Sequence, residues 1–383
     1  MGMKYSDLVD YDKLDPYKEE CIRRFQKTLS YPNRLGVRIV PESIGETAVA
    51  IDADFFSDFY LAFGVEGLGT KNMIAESKAE KIKILRNIIR EFGINLAVDI
   101  GINTRKLFSG IGQDGMAMSI NDLNAIGALA IAYEPIVATG SSDYLTEINV
   151  RDGLIDGFEK GAYIAQVAIP GGETPTLPGI VYPNTIDLAG GSLGLIRPKS
   201  RLCLGDRLTE GLTIYGVVSS GIQSNGVSLA RKIAEKSKQG YFTRLPSGKT
   251  IGEALLTPTT IYSPLVEALA NEGADIVYMQ PITGHGFGKI MRKKKDLTYV
   301  IEYVPEPQEE FRFMQEVGPV DDEEAYRVWN MGIGWVLFAH SNESSKINRA
   351  CKKSDHQLYE LGPIQKGERQ VVIPSKNIVY RPK

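Results

Sequence analysis

The stretch Gly64-Val65-Glu66-Gly67-Leu68-Gly69-Thr70-Lys71 puts a carboxylate, spaced glycines, a hydroxyl and a lysine into one short run. Glycines let backbone N–H groups approach an anion, a carboxylate can hold a hard cation, and a lysine supplies a compact positive charge. Three later segments carry similar mixtures: Ile120-Asn121-Asp122-Leu123, Gly171-Gly172-Glu173-Thr174 and Ser219-Ser220-Gly221-Ile222-Gln223-Ser224-Asn225-Gly226. A polyanion carried with Mg²⁺ requires both kinds of group. Together the segments point to nucleotide phosphate chemistry more strongly than any one of them alone.

Each segment also has a plainer reading. Glu66 to Lys71 lacks the spacer of a Walker A loop and, by itself, reads equally as a turn closing a strand. Asn121-Asp122 before a predicted helix is an N-cap by residue type. A cation cluster gains weight because Glu66, Asp114 and Asp122 all fall near the ends of predicted strands in one half of the chain, and Mg²⁺ needs only one or two carboxylates beside phosphate oxygens. Pro170-Gly171-Gly172-Glu173-Thr174-Pro175 is a turn by composition, whose glycines could also let backbone touch a ligand. Ser219 to Gly226 lies between a predicted strand and a predicted helix, where free N–H groups and the helix dipole favour anions. In the Gly-rich run Gln280 to Gly288, His285 is the one histidine in a plausible site.

Composition narrows the classes. A chain of 383 residues suits two domains, and 43% hydrophobic with 24% charged residues is ordinary for a soluble globular protein. A formal net charge of −3 gives no reason to expect nucleic acid or an anionic membrane as partner. Three scattered cysteines, Cys21, Cys203 and Cys351, suit free thiols in a reducing compartment. The acidic, non-apolar start and the lack of a long apolar run lead us to expect a cytoplasmic protein without a signal peptide or membrane span. With three histidines and no CxxC or HExxH pattern, any metal should be a hard cation on oxygen ligands.

The elements that must position these groups follow from periodicity. The pattern predicts helices over 17–25, 76–92, 122–132, 152–168, 264–271 and 321–329, and one capped by Ser224-Asn225 that runs to Lys236. It predicts strands at 47–51, 59–63, 115–120, 136–138, 186–196, 212–218, 276–279, 298–304 and 334–339, and a loop over 29–36. Arg197-Pro198-Lys199-Ser200 is the best boundary, giving domains 1–198 and 199–383. Helices and strands mix without regular βαβ alternation, which indicates α+β.

Read in order, the motifs resemble the aminoimidazole ribonucleotide synthetase (phosphoribosylformylglycinamidine cyclo-ligase) family. The family's D-G-V-G-T-K appears as Glu66 to Lys71, its G-I-D as Gly112 to Asp114, and its N-D as Asn121-Asp122. G-G-E-T is Gly171 to Thr174. S-S-G-x-x-S-N-G is Ser219 to Gly226, I-T-G-x-G is Ile282 to Gly286, and N-x-G-x-G is Asn330 to Gly334. The resemblance spans roughly residues 40 to 340. It implies a two-domain synthetase fold, with an N-terminal mixed sheet that dimerises into a barrel and a C-terminal α/β sandwich domain. It implies a homodimer, a small-molecule ribonucleotide substrate, and ATP with Mg²⁺.

On that resemblance Glu66, Asp114, Asn121 and Asp122 are the metal candidates, and Glu66, Lys71, Asp114 and His285 the catalytic ones. Gly67, Gly69, Thr70, Lys71, Gly171, Gly172 and Glu173 would hold ATP. Ser219, Ser220, Gly221, Ser224, Asn225 and Thr283 would hold substrate. The chain departs from the family at Glu66 for Asp, Gln223 and Pro281 for histidines, Thr176 for an acid and Thr260 for an arginine. Two alternatives therefore stand beside the cyclo-ligase: another ATP-dependent phosphotransferase of the superfamily, or a non-catalytic nucleotide-binding homologue.

Overall fold

The computed structural model describes residues 11–39, 51–53, 58–91 and 104–382. The expected strand over 47–51 and the end of the expected helix over 76–92 fall largely outside them. Two compact units are present. One comprises 65–119 and 131–192 together with the N-terminal residues; the other comprises 56–64, 120–130 and 193 onward.

The chain opens with α1 (Tyr11–Phe25). The run expected as a loop is instead a 3₁₀ helix over Gln26–Leu35, ended by Gly36 at φ 70°. β1 (Val37–Ile39) pairs antiparallel with β2 (Ile51–Ala53). β3 (Tyr60–Gly67) leads into α2 (Asn72–Glu91). Next come α3 (Thr104–Ala125), β4 (Leu129–Thr139), α4 (Ile148–Ala165) and β5 (Ile186–Ile196). A three-stranded sheet runs in the order β3-β5-β4.

α3 overturns two expectations. Residues 115–120 are helical, not a strand, and the helix expected over 122–132 is the end of α3 followed by β4. α3 is buried on nearly every side from Leu107 to Leu123. A helix enclosed all round shows no polar stripe, so the small apolar run Gly115 to Ile120 could not be told from a strand by pattern. α3 and α4 also approach closely. A Cβ on Gly112 would lie 2.5 Å from Leu154 O, and one on Gly157 would lie 2.1 Å from Ser109 O. Gly112 therefore serves helix packing.

The other unit holds β6 (Thr213–Val218), α5 (Val227–Lys236), α6 (Ile251–Leu255), α7 (Ser263–Asn271), β7 (Tyr278–Pro281) and β8 (Leu297–Val300). α8 (Glu309–Val317), α9 (Asp322–Val328), β9 (Ile333–Ala339), α10 (Ser344–Lys353), β10 (Leu358–Lys366), β11 (Gln370–Ile373) and β12 (Ile378–Tyr380) complete it. Seven strands form one sheet in the order β12-β11-β8-β10-β6-β9-β7. β6 is antiparallel to β9 and β10, while β11 runs parallel to β8. β9, second from the β7 edge of the sheet, is buried at every position and carries Trp335. Asp321 caps α9 by accepting from Glu324 N. The expected Ser224-Asn225 cap is not formed; Gly226 at φ 70° starts α5 with no side-chain cap.

Candidate functional site

In the first unit the chain leaves β3 at Gly67, and Leu68 N donates to Leu188 O on β5 at 2.8 Å. That bond and the burial of Leu68 pin the loop before it enters α2. Gly69 sits at φ 74°, which only glycine adopts without strain. Gly67 has no such backbone demand, and a Cβ there would meet nothing within 4 Å among the described residues. Its bareness serves neither a turn nor packing, and it leaves main chain open to an approaching ligand at the start of a twenty-residue helix.

Lys71 was expected to reach phosphate. It lies wholly buried instead, with Nζ 2.9 Å from Asp114 Oδ1 and 2.8 Å from Oδ2. Asp114 is equally buried. Burial pulls the Lys71 ammonium below its usual pKa, against the opposing pull of Asp114. Next to this pair, Asn72 Nδ2 donates to Glu76 Oε1 at 3.0 Å and Ile186 O at 2.7 Å, and Glu76 Oε1 accepts from Ile186 N at 2.9 Å. The first turn of α2 is thereby clipped to the start of β5.

Gly171-Gly172-Glu173 is not a free turn. Glu173 N donates to Pro135 O and Val137 N to Glu173 O, each at 2.8 Å, so the segment runs along β4. A Cβ on Gly172 would come 2.8 Å from Pro135 O. Glu173 is exposed, as is Asp187 on β5.

In the second unit Asn121 spends both ends of its amide on main chain. Its Nδ2 donates to Thr260 O at 2.8 Å, and its Oδ1 accepts from Tyr262 N at 2.9 Å. Asp122 beside it is exposed. The loop 219–226 is held by Asn330, whose Nδ2 donates to Gly221 O at 2.9 Å and Ile222 O at 3.1 Å. Its Oδ1 accepts from Ser219 Oγ at 3.0 Å and Gly332 N at 2.9 Å. Ser220 Oγ donates to Pro258 O at 2.7 Å, and Ser224 Oγ lies 2.9 Å from Thr259 Oγ1. Gln223 donates to the buried Tyr262 hydroxyl at 3.0 Å. Asn225 is half-buried, and Thr283 Oγ1 accepts from Lys289 Nζ. His285 is exposed at φ 73° and starts the 3₁₀ turn over Gly286–Met291.

Glu310 was not singled out from sequence, since nothing in a helix-start Glu-Glu pair announces burial. It is 5% exposed and borders Gly221. Burial, reinforced by Glu309 and opposed by its own backbone N–H and Lys249, holds its carboxyl up at about 6 against a usual 4.5. The folded state thus binds this proton more tightly than the unfolded chain. The associated stability is present below about pH 4.5 and is lost as pH rises through about 6. The window is worth about 2 kcal/mol. Glu310→Gln should remove that dependence and unfold at higher urea than the parent at pH 8; urea titrations at pH 5 and 8 on both proteins check it.

Among the described residues no group of three or more His, Cys, Asp or Glu side chains is gathered to hold a metal ion. The four-residue cation set is therefore not assembled as expected. Asp114 is committed to Lys71 in the interior, and Asn121 to the backbone of 260–262. Glu66 is exposed at the glycine loop.

Family models for AIR synthase related protein match twice, the N-terminal domain over residues 91–196 and the C-terminal domain over 209–374. The chain belongs to this family. The phosphoribosylformylglycinamidine cyclo-ligase of Methanocaldococcus jannaschii is 35% identical over 311 residues, covering 81% of this chain and 79% of that protein. That of Clostridium acetobutylicum is 32% identical, covering 86% and 96%. Among solved structures, hydrogenase maturation protein HypE in complex with ATP aligns with a TM-score of 0.59 at 14% identity, over 94% of this chain and 90% of that one. Thiamine-monophosphate kinase from Stenotrophomonas maltophilia K279a aligns with 0.59 at 16%, over 97% and 98%. These structures establish a shared fold with the AIR synthase related chain. Among its described residues no helix is long and apolar enough to cross a membrane.

Proposed function

We propose that this chain is an ATP-dependent cyclo-ligase converting formylglycinamidine ribonucleotide into aminoimidazole ribonucleotide. The observation that carries the reading is the open pair of glycines, Gly67 and Gly69, at the head of α2, in a chain whose relatives bear the cyclo-ligase name. Bound there, ATP supplies the phosphoryl group that turns the substrate's amide oxygen into a leaving group. The backbone of Gly67, Gly69 and Thr70 would face its phosphates. Glu66 would carry Mg²⁺ jointly with phosphate oxygens, a small donor set that suits this ion.

The chain's remaining task is positioning. The amidine nitrogen must meet the activated carbon as its C–N bond forms and phosphate departs. The rigidly braced loop 219–226 suits that role, with Ser219, Ser220, Gly221, Ser224 and Asn225 as its members. Asp114 and Lys71 support the phosphate loop from beneath. A homodimer fits the exposed apolar residues of β3, where Leu61 is 61% and Phe63 72% exposed.

Incubation with ATP, Mg²⁺ and formylglycinamidine ribonucleotide, followed by colour detection of the aminoimidazole, tests the reading. No product at high protein concentration would reject it. If ATP is consumed only with another small acceptor, the phosphotransferase reading takes its place; Gln223 and Pro281 are the departures that favour that alternative. Gly67→Ala discriminates binding from folding. The Tm should move by no more than about 1–2 °C, since the new methyl meets open space. The KM for ATP should rise about tenfold or more as that methyl obstructs the phosphates.

A further inference from the structure

A cavity of about 450 Å³ opens within the second unit between the end of α3, β7 and the basic turn after residue 291. Arg292, Lys293 and Lys294 line it, against a single carboxylate, Asp122. Lys293 is partly engaged, 4.0 Å from Asp206 and 5.9 Å from the centre of the Tyr278 ring. Arg292 and Lys294 are exposed and make no ion pair among the described residues. Gln280, 5% exposed, also lines the cavity. Its Nε2 donates to Tyr278 OH at 2.6 Å, while its Oε1 meets no hydrogen-bond partner among the described residues. A buried amide left half-satisfied is costly unless something else completes it.

We propose that this cavity binds the ribose 5-phosphate end of the ribonucleotide substrate. The proposal rests on the cyclo-ligase reading, which brings two phosphate-bearing ligands to one protein. The glycine loop offers backbone to one of them, but its lysine is spent on Asp114. The dianion of a phosphomonoester needs cations, and the basic turn supplies them, with Arg292 suited to bidentate contact. Asp122 then accepts hydrogen bonds from ribose hydroxyls, which separates a pentose phosphate from bare phosphate. Gln280 and the Tyr278 phenol, which accepts from Gln280 and donates to no group among the described residues, complete the polar wall. The volume suits a small ligand.

The test uses the full chain, its R292A/K294A variant, and ribose 5-phosphate as probe in calorimetry. Both side chains are exposed, so the variant's Tm should match the parent's. Ribose 5-phosphate should bind the parent and bind the variant at least tenfold more weakly. In turnover assays the KM for the ribonucleotide should rise at least tenfold, while kcat and the KM for ATP stay within about twofold. Equal binding of the probe by both proteins, or a rise in the KM for ATP in place of the other, would overturn the proposal. So would inorganic phosphate binding as tightly as ribose 5-phosphate. If the parent makes no aminoimidazole yet binds ribose 5-phosphate through Arg292 and Lys294, the cavity assignment stands and the reaction assignment falls.

Discussion

Asp114→Asn should cost about 3–5 kcal/mol of folding stability, because it leaves the buried Lys71 ammonium without its carboxylate. Lys71→Met should cost a similar amount by stranding the carboxylate. The double variant K71M/D114L removes both charges and fills the space with apolar side chains. Replacing a buried ion pair in this way is often neutral or stabilising, so the double variant should recover most of the loss. Urea midpoints at constant slope measure all three. ATP binding by the double variant then separates two roles. Retained affinity assigns the pair to holding the loop in shape; lost affinity in a protein of normal stability returns Asp114 to the chemistry.

Asn330→Ala should be nearly as damaging, although position 330 is remote in sequence from the loop it braces. Four hydrogen bonds end on this 3% exposed side chain. Removing them strands buried carbonyls, a hydroxyl and an N–H, for a loss of about 3–4 kcal/mol. For units of this size that corresponds to a fall in Tm of about 10 °C. Asn330→Asp should do no better, since a carboxylate cannot donate to Gly221 O and Ile222 O. In both variants the KM for the ribonucleotide should rise beyond what the KM for ATP shows, because the loop 219–226 loses its brace. Thermal unfolding and steady-state kinetics with each substrate varied in turn check this.

What the sequence made legible depended on the range of the cause. β5 was readable to the residue because alternation is local and turn residues flank it. The glycine loop was readable because bareness is a property of residue type. Lys71 was misread because its partner lies 43 positions away, and no pattern announces that a lysine points inward. Asn121 looked like a cap or a ligand until α3 proved continuous and brought its amide to 260–262. Asn330 fell within a recognised motif, yet its task appeared only once its four partners were placed. The basic turn after residue 291 carries no motif of its own, and only the folded chain sets it beside Gln280 and Asp122.

β3 stands at the margin of its sheet, with Leu61, Phe63 and Val65 each more than half exposed. An uncovered strand margin carrying greasy side chains is a template for uncontrolled sticking. Such a surface makes dilution a stress in its own right: a chain that depends on covering it is sturdiest when crowded with its own kind. If the proposed pairing through β3 holds, its lifetime in the cell is set partly by how fast newly made copies find each other.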